Sequence, residues 1–132
     1  MPYYTAVLAL AALALSGCGG SDSGTPTSPG SPSNPTPVPT TTVTITTAGV
    51  NPQVITVAVG SRVTFINNDS RAHEMNSDPH PTHGDCPAMD DVGFLAPGQT
   101  KLTGTFTVAR TCGYHDHNMP DTRSLQGQII VQ

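Results

Sequence analysis

Residues 53–67 read QVITVAVGSRVTFIN, and this stretch decides the fold class. Gln53 to Val59 is dense in β-branched residues, which favour strands. In the following run the side chains of Val63 and Phe65 fall on one face, as expected of a half-buried strand. Gly60 and Ser61 separate the two runs as a tight turn. The stretch therefore predicts two consecutive strands paired as a hairpin.

Strand signals continue on both sides of this stretch. Residues 43–46 alternate, residues 102–108 return as a strand, and residues 127–131 close the domain. No segment carries a credible helical pattern, so we predict an all-β domain, a β-sandwich, over residues 42–132. The Pro-, Gly- and Asp-rich segment 76–97 is too long for a passive connection, which suggests a functional role.

The N-terminal part of the chain predicts export and lipid anchoring. Ala6–Leu15 is an apolar run with the length of a signal-peptide core, too short to span a bilayer. The residues up to Cys18 resemble the bacterial lipobox, in which the cysteine is acylated; ordinary cleavage that leaves a free thiol is the alternative. We expect a signal peptide over residues 1–17 and a disordered Ser/Thr/Pro/Gly tether over residues 18–41. Gly19 and Gly20 do not resemble an inner-membrane retention signal, so the outer membrane or the cell surface is the expected location.

The sequence argues against nucleic-acid binding and against catalysis. The 132-residue chain has a formal charge of −4 and only five Lys and Arg, without a basic cluster, which argues against nucleic-acid binding. No nucleophile, base and oxyanion arrangement is recognisable, so the protein is not expected to be an enzyme. We expect a monomer that is held at a membrane by its lipid anchor.

Three residues at strand ends carry the expected chemistry. His73 follows one strand, while Cys112 and His115 end a later one just before the last strand. A thiolate and two imidazoles that converge from separate strands form the His2Cys set of a blue-copper site. The sequence therefore suggests a copper centre.

The ordered set of motifs resembles the cupredoxin family of type 1 copper proteins. The similarity runs over residues 50–131 and rests on the following segments: Asn51-Pro52, residues 55–57, Val59-Gly60, residues 63–65, residues 67–73, residues 95–98, residues 112–115 and residues 127–131. The resemblance implies a Greek-key β-sandwich, with His73, Cys112 and His115 as ligands of one copper ion. It implies a one-electron carrier whose partners are redox or copper-handling proteins of the envelope.

The resemblance leaves the axial ligand open. Family members usually have a Met shortly before the Gly that opens the last strand. Met119 has a suitable spacing from His115, but Leu125 occupies the position next but one before Gly127. We expect Met119 as the axial ligand, with a non-ligating Leu125 as the alternative.

Cys86 offers a different state for Cys112. Once Cys18 is acylated, Cys86 and Cys112 are the remaining cysteines, and in an oxidising compartment they pair by default. A disulfide would remove the thiolate and leave no blue-copper site. Both states stay open on the sequence.

Histidine is in excess at the same predicted end of the domain. His80 and His83 lie in the long loop, and His117 follows His115 by two residues. Exposed loop histidines without a metal role are the simple interpretation. They could instead form a second copper site, or complete an imidazole-only site with His73 and His115 that persists if the cysteines pair.

Three functions therefore remain open. The first is a one-electron carrier with type 1 copper. The second is a non-redox copper-binding or copper-delivery protein with a His-rich site and a Cys86–Cys112 disulfide. The third is a metal-free structural β-sandwich, for which the histidines would be incidental.

Overall fold

The computed structural model describes residues 33–132. The expected signal peptide, Cys18 and most of the expected tether lie outside the described residues. The described part folds as ten strands, one short helix and one 3-10 turn. The strands are β1 (Val38–Pro39), β2 (Thr42–Thr46), β3 (Gly49–Asn51), β4 (Val54–Val57), β5 (Thr64–Asn67), β6 (His73–Ser77), β7 (Gly93–Leu95), β8 (Thr100–Leu102), β9 (Arg110–Asp116) and β10 (Gly127–Val131); the helix is α1 (Pro87–Asp90) and the turn is Arg123–Leu125.

The strands form two sheets. A six-stranded sheet has the order β1-β4-β10-β9-β6-β7, and a four-stranded sheet has the order β3-β2-β5-β8. In the larger sheet β10 runs parallel to β4 and antiparallel to β9, and β9 runs antiparallel to β6. The expected all-β sandwich is confirmed.

Apolar side chains from both sheets fill the space between them. In β5 and β9 every second side chain points inward, as the period of a strand requires. Phe65 and Tyr114 meet there edge to face, with ring centroids 5.3 Å apart. Both rings are almost completely buried, so this pair joins the two sheets at the centre of the core.

The expected hairpin over residues 53–67 is wrong. β4 belongs to the six-stranded sheet and β5 to the four-stranded sheet, so the two strands face each other across the core. Gly60, with a φ of 90°, turns the chain between the sheets, and its backbone N–H donates to the carbonyl of Phe106. Both strands are buried on one face. This pattern is the same whether the two strands pair within one sheet or face each other from two sheets across the core, so it could not decide between the two arrangements.

Three smaller differences concern element bounds. β8 covers Thr100–Leu102, so the strand expected over residues 102–108 lies earlier and is shorter. β1 lies within residues 18–41, the range expected to be tether, and pairs with β4. α1 and the 3-10 turn were not expected, and at four and three residues they are too short to show a helical period. Within residues 33–132 no helix has the length and apolar character needed to cross a membrane.

Candidate metal centre

Strand β9 presents two different faces. Cys112, Tyr114 and Asp116 are buried on the side of the core, where Asp116 lies opposite the core residue Met75. Because side chains alternate along a strand, Gly113 and His115 point to the outer face of the six-stranded sheet. His117 continues this outer row, and its backbone N–H donates to the carbonyl of Glu74 on β6.

Four histidines meet on this outer face. His80 and His83 come from the loop after β6, and His115 and His117 from β9 and its end. Their ligand nitrogens all lie within 4.8 Å of one another. In the part of the chain that the structure describes, this is the one group of three or more His, Cys, Asp and Glu side chains able to hold a metal ion. We call these residues the four-histidine cluster.

Backbone and carboxylate groups fix two of these imidazoles. His115 Nδ1 donates to Asp78 Oδ1 at 2.7 Å, and His83 Nδ1 donates to the carbonyl of Ser77 at 2.9 Å. Each contact uses one ring nitrogen as a donor, so the Nε2 atom of the neutral ring carries a lone pair. This arrangement, in which one ring nitrogen is held as a donor and the other keeps a lone pair, is typical of metal-ligating histidines.

The nitrogens of the cluster fit a bound ion. His83 Nε2 lies 2.7 Å from His117 Nδ1, and His115 Nε2 is buried without a hydrogen-bond partner among residues 33–132. Two nitrogens that bind one ion at about 2 Å each are separated by about 3 to 4 Å, close to the spacing in the cluster. An unpartnered buried acceptor is costly unless something binds it. The cluster therefore has the spacing of a metal site and one unpartnered lone pair, and a bound ion would replace the hydrogen bond between His83 and His117.

The surroundings of His80 favour its neutral form. Partial desolvation lowers the pKa of the exposed His80 ring, and the neighbouring rings of His117, His115 and His83 lower it further. The His80 ring centroid lies 4.9 Å from that of His117 and 5.3 Å from that of His115. Since a protonated imidazole cannot bind a metal, a lowered pKa favours the ligating form.

His73 lies outside the cluster. It is completely buried, with Nδ1 2.7 Å from Asp116 Oδ2 and Nε2 3.1 Å from Asp69 Oδ2. Both ring nitrogens are therefore engaged with carboxylate oxygens. Burial alone would raise the pKa of Asp69, but hydrogen bonds from Arg71 and His73 outweigh it and lower that pKa to about 2. His73 has no nitrogen left for a metal in this arrangement.

Cys112 is bonded to Cys86. The Sγ atoms are 2.04 Å apart and both residues are buried. This is the second of the two states that the sequence left open for Cys112, and a disulfide sulfur is not a thiolate ligand. The structure therefore does not bring His73, Cys112 and His115 together as a His2Cys set.

The two axial candidates also lie elsewhere. Met119 packs against the hydrophobic core, with its sulfur 3.9 Å from Nη1 of Arg71. Leu125 is buried in the core as part of the 3-10 turn.

Sequence reasoning missed the carboxylates that organise this end of the domain. Asp78 holds His115, while Asp69 and Asp116 hold His73. A signal was present for Asp116: it lies between His115 and His117, so strand alternation places it on the opposite, buried face. The partner of Asp78 follows only from the folded loop.

Comparison with known proteins identifies the fold. No protein-family model matches the chain, and no curated protein matches it in sequence. A purple cupredoxin from Nitrosopumilus maritimus is 17% identical, with a TM-score of 0.55 over 70% of this chain and 100% of that chain. A Cu(I) structure of an amicyanin mutant is 24% identical, with a TM-score of 0.51 over 69% of this chain and 80% of that one. A mutant plastocyanin of fern is 18% identical, with a TM-score of 0.51 over 69% and 99% of the two chains. The expected Greek-key sandwich of the cupredoxins is confirmed.

Proposed function

We propose that this cupredoxin-fold domain binds one copper ion through His80, His83, His115 and His117. The convergence of four imidazoles from two separate segments, with ligand nitrogens within 4.8 Å, carries the proposal. The likeness to a Cu(I) amicyanin supports copper as the metal. Imidazole nitrogens also suit Zn²⁺, but Cu²⁺ binds more tightly to the same nitrogen set.

The chain's own residues would hold the ion in distinct ways. His115 is fixed from behind by Asp78 and His83 by the carbonyl of Ser77. His80 is exposed and forms the outer rim of the cluster. Copper held there would have imidazole ligands and no thiolate bond, so the site would be pale rather than blue.

The rim position of His80 favours a role in copper handling. A ligand that faces solvent can be exchanged for a donor from another protein while the inner imidazoles stay in place. We therefore propose a non-redox copper-binding or copper-delivery protein whose partners are copper-handling proteins of the envelope. Export and anchoring through Cys18 belong to this proposal and rest on the sequence alone.

A one-electron carrier is the second candidate. The solved plastocyanin with this fold was determined in oxidized and reduced forms, which favours redox cycling. In this chain that function would use a type 1 site formed by His73, Cys112 and His115 once the disulfide is reduced. A strong thiolate-to-copper band in the visible spectrum of the reduced, copper-loaded protein would support it.

The test is a Cu(II) titration of purified wild type beside two variants. We expect one copper per wild-type chain and an EPR spectrum with nitrogen ligands. A His115→Ala, His117→Ala double variant should lose this binding. A His73→Gln variant removes the remaining histidine and should still bind one copper.

Three other results would contradict the proposal. Tight copper binding by the double variant would place the metal elsewhere. Loss of copper in a folded His73→Gln variant would favour the type 1 set. If the wild type binds no copper, the metal-free structural β-sandwich is the remaining interpretation.

The lipid anchor needs a separate measurement. Detergent partitioning of the wild type and of a Cys18→Ser variant should differ, because acyl chains hold a lipoprotein at a membrane. Equal partitioning of both into the aqueous phase would exclude the anchor.

A further inference from the structure

Asn76 carries a second unpartnered acceptor beside the four-histidine cluster. Its Oδ1 atom is buried and accepts no hydrogen bond from any residue in the range 33–132. Leaving a buried carbonyl oxygen unpaired is costly, so such an atom calls for an explanation.

The strand register places Asn76 against His115. The two residues are direct partners across β6 and β9, so their side chains lie on the same outer face. The other buried, unpartnered acceptor on this face is Nε2 of His115. The two orphan atoms therefore belong to neighbouring side chains at the same end of the sheet.

Asn76 Oδ1 and His115 Nε2 need different binding partners. A metal ion satisfies the lone pair of His115 Nε2, but the amide oxygen of Asn76 needs a proton donor. An Asn side chain is shorter than a His side chain, so an ion at Nε2 of His115 is not expected to satisfy the Asn76 oxygen as well. One small ligand that binds the ion and donates a proton to Asn76 would satisfy both atoms.

We propose that Asn76 Oδ1 accepts a hydrogen bond from a small O–H ligand, of the class of water or a hydroperoxide, held beside His115 in the copper-loaded cluster. This inference rests on the proposed copper site and adds to it a selectivity among the small ligands that bind the copper ion. Asn76 favours ligands that bear a proton and disfavours aprotic anions, because an anion would meet an acceptor instead of a donor. Asn76 is thus a positioning residue for an exchangeable ligand.

The experiment is an azide titration of the Cu(II)-loaded protein, followed by the azide-to-copper charge-transfer band. Azide must displace the O–H ligand but cannot donate to Asn76. Asn76→Leu keeps the size and removes the acceptor, so the Kd for azide should fall about fivefold, the equivalent of one neutral hydrogen bond. Asn76→Asp makes the acceptor stronger and negative, so the Kd for azide should rise.

An exposed asparagine provides the matched control. Asn68→Leu makes the same substitution at an exposed position just after β5 and should leave the Kd for azide unchanged. A purely structural role of Asn76 would shift the azide affinity of Asn76→Leu and of Asn76→Asp in the same direction. That result, or no shift in either variant, overturns the inference. Loss of copper in Asn76→Leu alone would make Asn76 a direct ligand and also overturn it. Absence of copper from the wild type would refute the proposed function itself.

Discussion

The carboxylate of Asp78 lies in the space that a Cβ atom on Gly113 would need. The backbone N–H of Asp78 also donates to the carbonyl of Gly113 at 3.0 Å. Asp78 thereby rests on strand β9 and reaches His115, two residues further along. Because Gly113 has no side chain, Asp78 can approach strand β9 closely enough to hold His115 in the four-histidine cluster.

We predict that Gly113→Ala lowers copper affinity. The new methyl group would push Asp78 away, and His115 would lose the acceptor of its Nδ1 proton. Loss of such an outer contact typically reduces metal affinity about 10- to 100-fold. Competition with a chelator of known affinity measures the effect. Gly84→Ala is the control, because a Cβ there meets no atom within 4 Å; equal affinities of the two variants would refute the role of Asp78.

The disulfide should stabilise the domain and support the cluster. It links Cys86, just after the loop of His80 and His83, to Cys112 on the strand of His115, over a sequence separation of 26. A crosslink of that span contributes about 3 kcal/mol to the free energy of unfolding. A Cys86→Ser, Cys112→Ser variant should lose that amount in urea denaturation.

The same variant separates the two candidate functions. It should still bind one copper, more weakly than wild type, because the loop loses one of its ties. A folded variant that binds no copper would instead point to a sulfur ligand. Cys86→Ser alone frees the thiol of Cys112, and a new thiolate-to-copper band in that variant would support the electron carrier.

Stability should fall at acid pH through Asp69. Its folded-state pKa of about 2 lies below the ordinary value of 3.8, so the unfolded chain binds more protons between these values. The contribution of Asp69 is complete above about pH 4 and is lost as the pH falls through 2. Asp69→Asn should be less stable at neutral pH but lose less stability over this window. Urea denaturation of the metal-free protein at several pH values measures both slopes, and equal slopes would contradict the prediction.

Tyr114→Phe should raise stability. The hydroxyl of Tyr114 is buried without a hydrogen-bond partner in residues 33–132, and this burial raises the pKa of the phenol. Removing the hydroxyl keeps the contact with Phe65 and ends its desolvation cost, a gain of about 1 kcal/mol. Thermal unfolding measures it. A loss of stability would show that the hydroxyl has a partner.

The sequence predicted the class of fold because strands alternate along the chain. Residues 43–46 and 127–131 carry that alternation, and both form strands. The same pattern cannot identify a strand's neighbours, since a buried face looks alike whichever sheet contains it. For this reason β4 and β5 were expected as a hairpin although they belong to different sheets.

The candidate site was only partly predictable. The surplus of histidines at one end suggested an imidazole set, but its members were expected to include His73. That residue faces inward, and its charge partners Asp69 and Asp116 are close to it only in the folded chain. The state of Cys112 likewise depends on the distance to Cys86 in space, which spacing along the chain does not determine.

One face of strand β9 packs into the core and the other carries residues of the four-histidine cluster. The alternation of its side chains therefore matters as much as its composition. Inserting or deleting a single residue before His115 would exchange the two faces. The imidazoles would then enter the apolar interior, while Tyr114 and Cys112 would turn to the outer surface. Changes of length are therefore excluded from this strand.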